Sequence, residues 1–175
     1  MSIPIENSVT GGQFLYEFMA WIEGSALGHT MRESGVWTYG VVNLVHILGV
    51  ASLFGAVLVL DLRLLGLWRK VTLPAITEPV VPVAAMGFVI AAVSGVCLLA
   101  TKATEYVGNP FLYIKFPAIG LGLLNVVALN SLSAWKQHKV RELTSREQSK
   151  LAVFGGISLA CWFTAISAGR MIGYW

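Results

Sequence analysis

The chain has 175 residues, of which 56% are apolar and 12% are charged. A soluble domain normally has about a quarter of its residues charged, so this composition excludes an ordinary soluble protein. The formal net charge of +3 does not indicate nucleic-acid binding, because the charges lie in short loops between long apolar runs, as membrane topology requires.

The first predicted element is an amphipathic helix over residues 10–30. A capping box at Thr10 to Gln13 precedes apolar residues at helical spacing, and acidic residues occupy other parts of the helix surface. A helix of this kind lies at the membrane surface. Because its acidic face disfavours anionic lipid, we expect it to pack on the other helices or on a partner protein.

Four apolar runs have the length of about 20 residues that crosses a bilayer as an α-helix. The predicted transmembrane helices cover residues 37–60, 81–100, 111–132 and 151–172. Pro82 and Pro110 are expected in the first turns of their helices, where a missing N–H costs nothing. The predicted fold is therefore an all-α integral membrane bundle of four transmembrane helices with an N-terminal interfacial helix, in a single domain of residues 1–175.

The distribution of Lys and Arg predicts the orientation of these helices. The loops after the first and third spans are rich in both residue types, whereas the opposite side has only Arg32, Lys102 and Arg170. Positively charged loops stay in the cytoplasm. We therefore expect both termini outside, in a multi-pass protein of a bacterial inner membrane.

Three ionisable residues in the spans are candidates for function, because charged groups are costly in lipid. His46 lies about 14 Å into the first span, and Lys115 lies about 9 Å below the outer end of the third. Arg170 lies at the outer end of the fourth span. All three are predicted in the outer half of the bilayer, where a bundle would bring them together.

This cluster favours a redox cofactor. A neutral imidazole is a good axial ligand of haem iron, so His46 is the predicted metal ligand of a b-type haem, or else a hydrogen-bond partner of a quinone. Gly49 would let a flat macrocycle or a neighbouring helix approach, and Asn43 would orient the imidazole. Lys115 and Arg170 would pair with propionates or a reduced quinone. The alternative is a histidine bonded to a neighbouring helix, with Lys115 extending to the surface.

The number of ligands limits the haem hypothesis. A single histidine within the spans excludes a two-haem, four-histidine cytochrome. One haem would need an open position or a second ligand, for which Lys115, Met171 and His29 are the candidates. A copper site is a weaker alternative, because the soft ligands lack MxxM or CxxC spacing. Asp61 is expected to be structural, and His138 is expected to be solvated in the basic loop.

Several stretches of the sequence follow one pattern. They are His46-Ile47-Leu48-Gly49 with Asp61-Leu62-Arg63-Leu64-Leu65-Gly66, Trp21-Ile22-Glu23-Gly24-Ser25, Asn109-Pro110-Phe111 with Lys115, and Gly169-Arg170-Met171-Ile172. In these stretches the chain resembles an uncharacterised family of small four-helix bacterial membrane proteins. The resemblance covers nearly the whole chain and implies no function. The position of Asn43 is often acidic in that family. If this acidic side chain transfers protons in other members, Asn43 does not do so in this chain.

A more distant resemblance concerns only three residues. A histidine in the first span, an arginine at its far end and a lysine early in the third span are similar to the membrane protoporphyrinogen oxidase family, which binds b-type haem. By this analogy His46 would be the haem ligand, and Arg63 and Lys115 would supply supporting positive charges.

The sequence thus predicts a small membrane redox protein that binds a b-type haem or a quinone near the outer face. It would pass electrons between a periplasmic donor and the membrane pool. The alternative is a non-catalytic anchor or scaffold subunit of a larger membrane or periplasmic redox complex. That role would use the outer helix and small-residue faces, which include Gly120, Gly122, Gly155 and Gly156. A transporter is a third option, but no two helices resemble an inverted repeat.

Overall fold

The computed structural model describes residues 6–175, with side chains from residue 12 onward. These residues form seven α-helices, two short 3₁₀ helices and no strand, which confirms the predicted all-α class. The α-helices are α1 (Glu6–Glu23), α2 (Ala26–Glu33), α3 (Gly35–Leu64), α4 (Leu73–Thr101), α5 (Pro110–Ser131), α6 (Ser133–Gln137) and α7 (Ser145–Met171). The 3₁₀ helices are Ala103–Tyr106 and Ile172–Tyr174.

Four helices, α3, α4, α5 and α7, are long and apolar enough to cross a membrane. Each overlaps one of the four predicted spans. Only 22% to 33% of the most apolar stretch of each helix is buried, so most of its apolar surface faces outward, as a helix surrounded by lipid requires. The chain is therefore a multi-pass membrane protein.

The start of α4 differs from the prediction. This helix begins at Leu73, and both Pro79 and Pro82 lie inside it. The expectation that Pro82 occupies a first helical turn is therefore wrong. Pro74 fills that role instead, because it lies in the first turn, where proline removes no hydrogen bond within the helix.

The segment before the spans contains two helices rather than one. The chain breaks between α1 and α2, and Ser25 caps α2 by accepting a hydrogen bond from the Gly28 backbone N–H at 3.3 Å. Helix α1 already begins at Glu6, so the predicted capping box at Thr10 does not start a helix. The side chain of Thr10 lies outside the described residues.

The helices contribute to two compact units. The first is built from the described residues up to Ile47 together with Ile90–Asn109. Within it, α2 approaches α4 so closely that a Cβ on Gly28 would lie 2.8 Å from the carbonyl oxygen of Ala100. A glycine is therefore required at this contact, because the opposing atom is backbone.

The second unit consists of Leu48–Val89 and Pro110–Trp175. Helices α5 and α7 pack along one another in this unit, with Gly122 on α5 against the indole of Trp162 on α7. Apolar residues of α3, α4 and α7 form one core cluster around Leu53, Val57 and Trp162. A second cluster lies near the loops, around Leu64 and Leu151.

A carboxylate in the first unit joins α1 to the 3₁₀ helix after α4. Glu23 accepts hydrogen bonds from the backbone N–H of Thr104 at 2.8 Å and from its hydroxyl at 2.7 Å. The backbone bond, and after it the hydroxyl bond, holds the pKa of Glu23 below its ordinary value of 4.5. The positive charges of Arg32 and Lys102 lower this pKa further.

This contact predicts an acid-sensitive attachment of α1. A carboxylate with a lowered pKa in the folded state stabilises that state above its unfolded pKa, and the stabilisation is lost as the pH falls through the folded value. We expect Glu23→Gln to lower the melting temperature by a few degrees at pH 7, and the difference from wild type to shrink below pH 4.5. Thermal unfolding in detergent measures this difference. Glu17→Gln is the control, since among the described side chains Glu17 bonds to Gln13 of its own helix. An equal effect of both variants would refute the attachment.

Candidate functional site

His46 is held by α4 through one ring nitrogen. Its Nδ1 lies 2.9 Å from the carbonyl oxygen of Ala91 and 3.1 Å from the hydroxyl oxygen of Ser94. The Ser94 hydroxyl donates its hydrogen to the carbonyl of Ile90 at 2.5 Å, so its oxygen can only accept from the ring. Both neighbours of Nδ1 are therefore acceptors. This pattern assigns the proton of a neutral imidazole to Nδ1 and the basic lone pair to Nε2.

A glycine makes room for the imidazole. A Cβ on Gly95 would lie 3.0 Å from Cε1 of His46 and 3.5 Å from its Nδ1. Any larger residue at this position would push the ring away from α4. Together, Ala91, Ser94 and Gly95 form what we call the His46 contact surface. An Nδ1–H donated to a backbone carbonyl is also the arrangement that orients most metal-bound histidines.

The two predicted neighbours of His46 on α3 have other surroundings. Asn43 is exposed, and Nδ1 of the imidazole lies within hydrogen-bond distance of Ala91 and Ser94 of α4. Gly49 is buried, and its carbonyl oxygen lies 2.9 Å from the position of a Cβ on Gly87 of α4. Gly49 therefore lies where α3 and α4 approach closely. Close approach of a neighbouring helix was one of the two roles predicted for this glycine, the other being approach of a macrocycle.

Lys115 and Arg170 belong to the second unit, at the ends of α5 and α7. The side chain of Lys115 is partly buried, and its Nζ lies 3.5 Å from the position of a Cβ on Gly169. Lys115 therefore lies against the residue that precedes Arg170. The guanidinium of Arg170 lies over the ring of Tyr174, 4.7 Å from its centroid, and also donates to the Tyr174 hydroxyl.

The other two candidates for a second haem ligand lie on helices different from that of His46. His29 is exposed on α2, and Met171 is exposed at the end of α7. Residues 12–175 contain no group of three His, Cys, Asp or Glu side chains that could hold a metal ion.

Asp61 is the most buried ionisable residue of α3, with 2% of its surface exposed. Ser158 of α7 hydrogen-bonds to its carboxyl group, and the other carboxyl oxygen, Oδ2, has no partner. The indole Nε1 of Trp162, one turn further along α7, is also buried without a partner. Sequence reasoning assigned Asp61 to structure, and nothing in its motif indicated that a carboxyl oxygen would be left unpaired between helices.

The prediction that His138 is solvated was wrong. Its side chain is buried, with Nε2 3.0 Å from the hydroxyl oxygen of Thr77 and Nδ1 bonded to the carbonyl of Trp135. The ring centroids of Trp135 and His138 lie 4.7 Å apart. The spacing of three residues between Trp135 and His138 is the signal for this contact, because it places both on one face of a helical turn.

The four glycines predicted to form helix contacts divide into two pairs. Gly122 packs on Trp162, and Gly155 packs on Leu64, with distances of 3.3 Å and 3.0 Å from the position of a Cβ. A Cβ on Gly120 would meet no atom within 4 Å, and one on Gly156 would meet only Leu65 at 3.8 Å. Gly120 and Gly156 thus leave small-residue surface open to a neighbour.

Comparison with known proteins identifies a family whose function is unknown. No curated protein and no solved structure matches the chain. A model of a family of unknown function, DUF6644, matches residues 18–175, which include all four spans. The analogy with the membrane protoporphyrinogen oxidase family is not supported. The chain belongs to the family of unknown function DUF6644, in agreement with the uncharacterised membrane family predicted from its sequence pattern.

Proposed function

We propose that this chain is a small membrane redox protein that holds a b-type haem or a quinone headgroup at His46. The observation that carries the proposal is the pair of hydrogen-bond partners from α4 at Nδ1 of a histidine within a membrane-spanning helix. A histidine is costly in a span unless it is used or bonded. Here Nδ1 is bonded to α4, which fixes the orientation of the ring, and a neutral imidazole is a good ligand of haem iron.

The residues around His46 fit such a ligand. The Ala91 carbonyl orients the ring and increases the basicity of Nε2, as second-shell acceptors do for metal-bound histidines. Gly95 lets the ring lie close against α4. When bound, a haem or a quinone would supply one-electron chemistry, and the chain would supply position, hydrogen bonds and an apolar surrounding.

Lys115 is the proposed source of positive charge. It is partly buried at the end of α5, against Gly169 of α7, and no ion pair of the described residues includes it. In this proposal a lysine or arginine would stabilise a propionate or the negative charge of a reduced quinone. Arg170 would assist from the same end of α7, where Tyr174 holds its guanidinium. The proposed setting is the outer half of a bacterial inner membrane, between a periplasmic donor and the membrane pool.

A second function is favoured by the surface of α1. Phe14 and Trp21 are 72% and 71% exposed, and Phe18 stacks on Trp21 at 6.2 Å between ring centroids. Met19 is buried on another face of the helix. An exposed aromatic stripe beside a buried face is what a docking helix would present to a larger complex. The chain would then be a non-catalytic anchor or scaffold subunit.

Analysis of bound ligands separates these functions. The protein, purified in mild detergent from cells that have ample haem and quinone, is extracted with organic solvent. The extract is assayed for haem by the pyridine haemochrome and for quinones by chromatography. The redox proposal expects a stoichiometric amount of haem b or of one quinone. Neither ligand, together with constant co-purification of a larger membrane complex, would refute it in favour of the scaffold function.

A further inference from the structure

The second unit contains a cavity that the redox proposal does not use. It has a volume of about 680 Å³ and lies between the turn that joins α3 to α4 and the loop that joins α6 to α7. Its charged lining consists of five cations and one carboxylate, namely Arg63, Arg69, Lys70, Lys139, Arg141 and Glu142. These are the loops whose positive charge predicts a cytoplasmic location.

Most of this positive charge is not neutralised within the unit. Arg141 is paired with the carboxylate of Glu147 at 2.6 Å. Among residues 12–175, no ion pair includes Arg63, Arg69, Lys70 or Lys139. A concave surface with uncompensated charge of one sign concentrates ions of the other sign.

The two arginines are held in place through their Nε groups. Arg63 donates from Nε to the carbonyl of Val71 at 2.9 Å, and Arg69 donates from Nε to the carbonyl of Gly66 at 3.2 Å. Their terminal N–H groups therefore remain for a ligand, in the fork geometry that suits phosphate. The turn that follows α3 and carries Arg69 has Gly66 at φ 108° and Trp68 at φ 51°. A bulky residue in the left-handed region is strained, and such strain is concentrated at ligand sites.

We propose that this basic cavity binds the phosphate-bearing headgroup of an anionic phospholipid. The cations are accompanied in the lining by exposed apolar residues, including Leu65 and Val140. Trp68 next to the cavity is half-exposed, as aromatic residues are at a membrane interface. A phospholipid supplies both chemistries, a phosphate for the arginines and acyl chains for the apolar wall. Free phosphate would bind to the arginines but would not occupy the apolar wall.

Lipid binding by the delipidated full chain tests the proposal. The probe is phosphatidylglycerol, titrated into the detergent-solubilised protein and followed by native mass spectrometry, with phosphatidylcholine as the neutral comparison. The main variant is Lys70→Gln with Lys139→Gln, because both side chains are exposed and no described hydrogen bond uses them. We expect the variant to bind phosphatidylglycerol at least about tenfold more weakly than wild type. The matched control is Arg146→Gln with Lys150→Gln, which removes equal charge from residues outside the cavity lining and is expected to keep wild-type binding.

Three results would overturn the proposal. One is equal loss of phosphatidylglycerol binding in the main and control variants, which would indicate attraction by net charge alone. Another is equal binding of phosphatidylcholine and phosphatidylglycerol by wild type. The third is inorganic phosphate that binds as tightly as the lipid and displaces it, which would assign the cavity to a soluble anion.

A further variant, Arg63→Gln with Arg69→Gln, is expected to lose more affinity than the lysine pair, and far-ultraviolet circular dichroism verifies that it remains folded.

Discussion

His46→Ala is expected to reduce the amount of haem or quinone that co-purifies with the protein at least tenfold. The substitution removes Nε2, which is the proposed ligand atom, together with the Nδ1–H that bonds to Ala91. Loss of the sole histidine in a span leaves no imidazole to replace it. The measurement is the ratio of extracted ligand to protein, for wild type and variant prepared in parallel. For a haem, free imidazole added to the variant is expected to restore part of the binding, which a purely structural histidine would not allow.

A milder variant tests the His46 contact surface. Gly95→Ala would place a Cβ 3.0 Å from Cε1 of His46 and force the ring to shift by a few tenths of an ångström. We expect a partial loss of ligand or a shifted haem spectrum. Gly40→Ala on α3 is the control, since its Cβ would meet no atom within 4 Å. Wild-type ligand content in both His46→Ala and Gly95→Ala would show that His46 has only a structural role.

Gly87→Ala is expected to destabilise the second unit by about 1–3 kcal/mol. A Cβ on Gly87 would lie 2.5 Å from the backbone nitrogen of Leu53 and 2.9 Å from the carbonyl oxygen of Gly49. Both opposing atoms are backbone, so α3 and α4 must move apart, and the contacts of Leu53 and Val57 in the adjacent core weaken. Denaturation in mixed micelles with increasing sodium dodecyl sulfate measures the free energy of unfolding.

The control for Gly87 is Gly55 on the facing helix. A Cβ on Gly55 would meet no atom within 4 Å, so Gly55→Ala is expected to keep the stability of wild type or to raise it slightly through helix propensity. A Gly87→Ala variant as stable as Gly55→Ala would mean that α3 and α4 do not approach to within 2.9 Å of a Cβ at Gly87.

The spans could be predicted from the sequence because lipid imposes a simple rule. A chain in the bilayer must form its own backbone hydrogen bonds, so long apolar runs such as residues 37–60 have one solution, the helix. The helix ends were less accurate. Helix α4 begins at Leu73 although Pro79 and Pro82 lie inside it, and the apolar pattern alone does not mark its first turn.

The surroundings of single polar residues could not be predicted in the same way. Asp61 and His138 lie near the ends of apolar runs, where sequence reasoning expects structural or solvated groups. Asp61 lies beside Ser158 of α7, and His138 lies beside Thr77 of α4. The burial of both residues therefore depends on which helices pack together. For His46, the residue itself was identifiable because an imidazole in a span is rare. Its partners Ala91 and Ser94 follow from the pairing of α3 with α4, which no local motif encodes.

The most direct test of the redox proposal is the reduced-minus-oxidised difference spectrum of the purified wild-type protein. Dithionite and ferricyanide define the two states, and cells supplied with haem precursor and quinone provide the sample. The proposal predicts the Soret, α and β bands of a b-type haem, or the ultraviolet change of a bound quinone, with the signal lost in His46→Ala. A wild-type protein without any redox-dependent absorbance change would contradict it.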